Sequence, residues 1–175
     1  MRILSLLTIL LFTGACNSAA PDKQTSSTSY FDLKTYISKE SQRLSAANPE
    51  ITKTVIVNGS QEQKRLHIAD WPKELSSFTD ADLNKSAWQG LFNVKKTPQS
   101  VYYTSDNDKV PVKSLKVDYK DGLVTGVQVL IRNENSLYTS TDTLSYVPDS
   151  LYQIKKTQHI TLMKEKRYSI TGRFH

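Results

Sequence analysis

The apolar positions of this chain fall into successive regimes, each predicting a different structure. Ile3 to Phe12 is an unbroken apolar run, and Asn17 to Ser29 is small and polar with no period. From Tyr30 to Ala47 apolar residues recur at helical spacing, with Leu33, Tyr36, Ile37 and Leu44 on one stripe. Asp32 is placed to cap this helix and Asn48-Pro49 to stop it. After Pro49 the period becomes two. Ile51 to Val57 and Gln61 to Ile68 flank Asn58-Gly59, whose residues favour the positive φ angles of a type I′ turn, so a β-hairpin is predicted.

Asp70-Trp71-Pro72 restarts a helix, with Asp70 as the cap and Pro72 in the first turn. Leu75, Phe78, Leu83, Trp88, Leu91 and Phe92 then supply apolar bulk for one or two short helices against a sheet. From Val101 strands are predicted at Val101–Thr104, Ser114–Tyr119, Leu123–Arg132, Leu137–Val147, Leu151–Lys156, His159–Met163 and Arg167–Arg173. The turn signals among them are Asp106-Asn107-Asp108, Asp121-Gly122, Asn133-Glu134-Asn135 and Pro148-Asp149-Ser150. Connections this short join antiparallel neighbours, because a parallel crossover needs about a dozen residues or more. The predicted fold class is α+β: an antiparallel β meander forming a curved sheet, with an N-terminal helix on its concave side and one or two short helices packed on it.

Ahead of these elements, Arg2 gives a positive start, Ile3 to Phe12 an apolar stretch, and Thr13-Gly14-Ala15 small residues just before Cys16. The apolar run is well short of the ~20 residues that span a bilayer. A secretory signal cut after Ala15 would leave a free thiol at the mature N-terminus, a reactive arrangement for an exported protein. The order of charge, apolar run, small residues and cysteine resembles a bacterial lipoprotein signal. Thr13 stands where the commonest form has Leu, as in the looser signals of Bacteroidetes lipoproteins. The resemblance implies that Cys16 is acylated and becomes the mature N-terminus, its several acyl chains meeting the two-signal requirement for stable anchoring. Residues 1–15 then form the signal peptide, 16–29 the lipidated cysteine and a flexible tether, and 30–175 a single domain. Asn17 is compatible with sorting to the outer membrane, and no acidic cluster follows closely, which favours the periplasmic leaflet.

A domain of this length buries about 70% of its extended surface, so packing alone can hold it. Cys16 is the sole cysteine, so no internal disulfide forms. The chain carries 23 Lys and Arg against 17 Asp and Glu, a net charge of +6. Solubility is the simplest reading of that excess. In an envelope it also suits an anionic lipid or polymer, or another envelope protein, rather than nucleic acid.

Catalytic signals are sparse. His67, His159 and His175 belong to no metal-binding or nucleophile motif, and neither a metal nor a cofactor is expected. Asp80-Ala81-Asp82-Leu83-Asn84 opens like a calcium loop, but Lys85 replaces the turn glycine and Leu91 stands where the bidentate glutamate belongs, so it reads as a capped helix junction. Asp106-Asn107-Asp108 reads as a turn. Trp88 is expected in the core, whereas Trp71, at a helix entrance, is a candidate exposed aromatic for binding. Lys155, Lys156, Lys164, Lys166, Arg167 and Arg173 are opposed only by Glu165 after Asp149 and form a candidate basic binding surface. Ser150 and Thr143 follow aspartates in the pattern at which Bacteroidetes proteins are O-glycosylated, Ser150 being the more accessible.

Asp70-Trp71, Asp82-x-Asn84-Lys85-x-Ala87-Trp88, Asn135-Ser136-Leu137-Tyr138 and Gly172-Arg173-Phe174 together resemble a group of small Bacteroidetes-type lipoproteins. That likeness implies no activity and assigns no site residue. The helix followed by a meander is also similar in outline to the lipoprotein-carrier fold of outer-membrane sorting, and a fold does not fix a function. The leading expectation is a non-enzymatic, lipid-anchored envelope protein with a binding or scaffolding role at the outer membrane. The alternatives are a carrier or sensor of an apolar ligand held between sheet and helix, and a hydrolase of envelope polymers built around His67 or His159.

Overall fold

The computed structural model of the protein describes residues 29–175. The expected signal peptide, Cys16 and almost all of the expected tether lie outside them. Helix α1, Leu33–Ala47, begins at Asp32, whose Oδ1 accepts from the Thr35 amide at 2.9 Å. It ends at Asn48, left-handed at φ 44°, whose amide donates to the Leu44 carbonyl at 2.8 Å. Strands β1 (Glu50–Val57) and β2 (Ser60–His67) form the predicted hairpin, with Asn58 at φ 51° and Gly59 at φ 92° in the turn.

Two short helices follow, α2 (Trp71–Glu74) and α3 (Ser76–Asp80), and then a 3-10 turn at Ser86–Trp88. Asp70 caps α2 through Lys73 N, as its position in the sequence suggests. The remaining strands are β3 (Asn93–Lys96), β4 (Ser100–Thr104), β5 (Val112–Lys120), β6 (Leu123–Glu134), β7 (Tyr138–Val147), β8 (Leu151–Ile160) and β9 (Lys166–Phe174).

All nine strands make one antiparallel sheet in the order β2-β1-β9-β8-β7-β6-β5-β4-β3, open at β2 and β3. The protein is mostly β, more so than the expected balance of helix and sheet. The meander runs from β3 to β9, but the early hairpin joins its far side by pairing β1 with β9. The two strands expected at Leu151–Lys156 and His159–Met163 are one: Thr157 and Gln158 stay paired with Thr141 and Ser140. The chain turns later, at Leu162, which adopts φ 68°. The left-handed region costs a residue of this kind roughly 1–2 kcal/mol.

The three helices pack on one face of the sheet. Leu33, Ile37 and Leu44 of α1, Trp71, Leu75 and Phe78 of the α2–α3 segment, and Tyr146 and Tyr152 of the sheet are all at most 1% exposed. Burying each such side chain contributes about 1.5–3 kcal/mol. Trp71 stacks on Phe174 with centroids 5.7 Å apart and meets Tyr152 edge-on at 6.0 Å.

Candidate functional site

Alternation along the strands divides the sheet into a covered face and an open one. Tyr146 and Tyr152 are partners across β7 and β8 and mark the covered face. Tyr146 Oη donates to Glu40 on α1 and Tyr152 Oη to Glu74 on α2, each at 2.6 Å. Arg43 holds Glu40 at 2.8 Å and reaches Asp149 in the β7–β8 turn at 2.8 Å, while Lys53 Nζ donates to Glu74 at 2.8 Å. Burial, then the hydrogen bond to the adjacent carboxylate, push both phenols far above their ordinary value of 10.0. These networks fasten helices to sheet.

Among the described residues no helix lies on the opposite face. One row of registered partners crosses every strand: Gln63, Thr54, Thr171, Gln153, Ser145, Gln128, Lys116, Tyr102 and Lys95. Each of these side chains carries a hydrogen-bonding group, and none is a carboxylate. Beside the row, Lys155 stands opposite Ser169, Arg167 opposite Thr157 and Arg173 opposite Leu151. Arg167 pairs with Glu165; Lys155 and Arg173 enter no ion pair among the described residues. Towards β4, Asp118 accepts from Ser100 Oγ and lies 2.9 Å from Lys116 Nζ. Burial works to raise that carboxyl, but the hydroxyl and the ammonium outweigh it and hold it below its usual range.

The six predicted cations do not form one surface. Lys155, Arg167 and Arg173 share the open face, whereas Lys156 and Lys166 point to the other side and Lys164 lies in the β8–β9 turn. Lys156 is bound to Asp142, its cross-strand partner, at 3.0 Å. Adjacent strand residues face opposite ways, so a run of cations is split by the pleat.

Trp71 is not an exposed aromatic. It is fully buried, because the short α2 lays its first residue between Phe174 and Tyr152. Trp88, expected in the core, is partly buried and packs against it, with Lys85 Nζ 4.2 Å from its ring centroid. Ser150 is exposed in the β7–β8 turn, and Thr143, although mid-strand, is exposed on the open face. His67 Nδ1 lies 2.8 Å from the Asn48 carbonyl oxygen, and His175 Nε2 lies 2.7 Å from Thr52 Oγ1. His159 stands on the open face at the end of β8, opposite Thr139.

The Asp82–Asn84 pair is a junction. Asn84 Oδ1 accepts from Tyr30 N at 2.9 Å, Asn84 Nδ2 donates to the Phe31 carbonyl at 3.2 Å, and Asp82 Oδ1 accepts from Lys34 N at 3.4 Å. These bonds tie the entry of α1 to the segment after α3.

Where the helices end, a cleft of about 490 Å³ lies on the covered face. Leu66, Ile68, Ile154 and Ile170 line it together with Lys73 and Glu74. Its position is set by where α2 and α3 stop. Among the described residues no helix is long and apolar enough to cross a membrane. Comparison of the chain with family models, curated proteins and solved structures found no match in any of the three.

Proposed function

We propose that this chain is a lipid-anchored protein of the bacterial outer membrane, facing the periplasm, that binds a partner without catalysis on the open face of its sheet. The observation carrying the binding half is that face: a polar row across every strand, flanked by Lys155 and Arg173 outside any ion pair among the described residues. Such a surface offers hydrogen-bond donors and positive charge, with Leu130 and Val147 as apolar points among them, which suits an acidic envelope protein or anionic polymer. The anchor half is supported by the order of Arg2, the apolar run, the small residues and Cys16.

The two halves have separate tests. Cys16→Ser should lose both membrane fractionation and labelling by a palmitate analogue. Titration of the full chain in detergent with polygalacturonate should show salt-sensitive binding, weakened about tenfold or more by Lys155→Glu with Arg173→Glu. Equal binding by parent and variant would remove the open face from consideration.

A second reading, carriage of an apolar ligand, draws on the cleft beside α2. Four aliphatic side chains, Leu66, Ile68, Ile154 and Ile170, contribute to its otherwise mostly polar lining, and its volume lies in the range of small-molecule sites. Native mass spectrometry of the purified chain should then reveal a co-purified lipid that is lost in Ile170→Glu.

A further inference from the structure

At the end of the sheet away from α1's C-terminus, two hairpin turns meet. Thr161 N donates to the Leu137 carbonyl at 3.0 Å, joining the β8–β9 turn to the β6–β7 turn. Leu137 is held out at its tip by an Asx bond, its own amide donating to Asn135 Oδ1 at 3.0 Å. Beside it, Leu162 is 102% exposed and Met163 is 50% exposed, with Leu137 at 66%. Single exposed apolar residues are ordinary; three on touching turns are a patch. Leu162 also occupies a left-handed position that turn chemistry gives to glycine or asparagine. Local stability does not account for a leucine there, which points to the side chain's use outside the domain.

The charges around the patch identify what it meets. Lys164, Lys166 and Arg167 follow directly, against the single carboxylate of Glu165, which is taken up by Arg167. Lys164 and Lys166 enter no ion pair among the described residues. We infer that this tip, Leu137 with Leu162-Met163 and the lysines behind them, dips into the interface of an anionic lipid bilayer. Protruding apolar side chains enter the acyl boundary while the cations stay at the headgroups. A second copy of the chain fits less well, because its own tip carries the same positive charge. Three side chains also fall far short of the ~800 Å² that each partner of a stable complex buries.

The reach is sufficient. The residues between Cys16 and Tyr30 can span at most ~45 Å, more than the ~33 Å length of a ten-residue strand such as β7. Anchor and tip can therefore touch one membrane, and the contact would fix how the domain is turned on it.

This inference rests on the membrane half of the proposal above, and its test separates the two. The full chain carrying Leu162→Cys, labelled with an environment-sensitive nitrobenzoxadiazole probe, is reconstituted with equimolar phosphatidylcholine and phosphatidylglycerol. Leu123→Cys, at the opposite end of the sheet, serves as the control. The probe at 162 should brighten severalfold and be quenched by doxyl-labelled lipid, with no response at 123. Lys164→Gln with Lys166→Gln should reduce the signal. If the chain floats with the vesicles and the two positions respond alike, the tip contact is refuted and the anchor stands. If the chain does not float, the anchor reading fails and this inference with it. Brightening at 162 in detergent alone, rising with protein concentration, would assign the patch to a second copy and overturn the lipid assignment.

Discussion

Tyr152 lays its ring over the backbone of Gly172, its registered partner on β9, and occupies the space that a side chain at 172 would need. The same phenol donates to Glu74, so the glycine lets a strand pair carry the bond that holds α2. Gly172→Ala should destabilise the protein by about 3 kcal/mol, since the added methyl collides with a fully buried ring. In a Tyr152→Ala background the same change should cost far less. A double-mutant cycle by urea denaturation measures the coupling.

Tyr146 and Tyr152 should give the fold a sharp alkaline limit. Their pKa values are raised in the folded protein, by burial first and by Glu40 and Glu74 second, so the native state keeps protons that the unfolded chain releases. The stabilisation is complete below the ordinary phenol value of 10.0 and falls as pH rises beyond it. Urea midpoints should hold steady towards pH 9 and drop above 10, with the phenolate absorbance of these two tyrosines, read as the difference from their Phe variants, appearing only on unfolding. Tyr146→Phe should cost about 2 kcal/mol at neutral pH by removing a hydrogen bond to a charged group, and should blunt the alkaline drop.

Asn84 should be among the most sensitive polar positions. Its amide accepts from Tyr30 and donates to Phe31, and it lies 3.3 Å from Asp82 Oδ1. Asn84→Ala should cost about 2–3 kcal/mol. Asn84→Asp should be worse at neutral pH, because a second carboxylate faces Asp82 and can no longer donate. Its deficit should narrow as pH falls and the new acid protonates, which thermal melts across pH 4 to 7 would read.

Leu162→Asn should raise stability by roughly 1 kcal/mol, because asparagine tolerates the left-handed backbone and the leucine gives the isolated domain no buried contact. Calorimetric melting measures this directly. A variant that gains stability while losing its bilayer contact would separate folding from use at this position.

Lys155→Glu and Arg173→Glu should change stability by no more than about 0.5 kcal/mol each, since neither cation has a charged partner among the described residues. Chemical denaturation would establish that any loss of polyanion binding is a surface effect.

The parts of the fold legible in the sequence are those set by neighbours along the chain. Asn58-Gly59 announced a hairpin because its φ angles are a property of two residues, and Asp32 and Asp70 announced helix starts by the same locality. The continuation of β8 through Thr157-Gln158 is hidden in the sequence, since those residues face partners without supplying an apolar alternation. Trp71 looked accessible because Asp70 and Pro72 mark a helix entrance; its burial comes from Phe174, more than a hundred residues on. The split of the basic cluster was legible in principle, because positions 155 and 156 must diverge in any strand. The exposed Leu162-Met163 tip was absorbed into a predicted strand, and only the late turn sets it free.

The pairing of β1 with β9 has a kinetic corollary. The seam between β1 and β9 cannot close until Lys166–Phe174 has been made, so the β1–β2 hairpin spends synthesis with one edge bare. Closing so large a loop places the slowest step of folding at the end of the process. A chain without β9 would lose the mate of Ile51, the lid over Trp71 and, among the described residues, the one strand besides β2 that pairs with β1. Closure of the sheet therefore turns on the strand Lys166–Phe174.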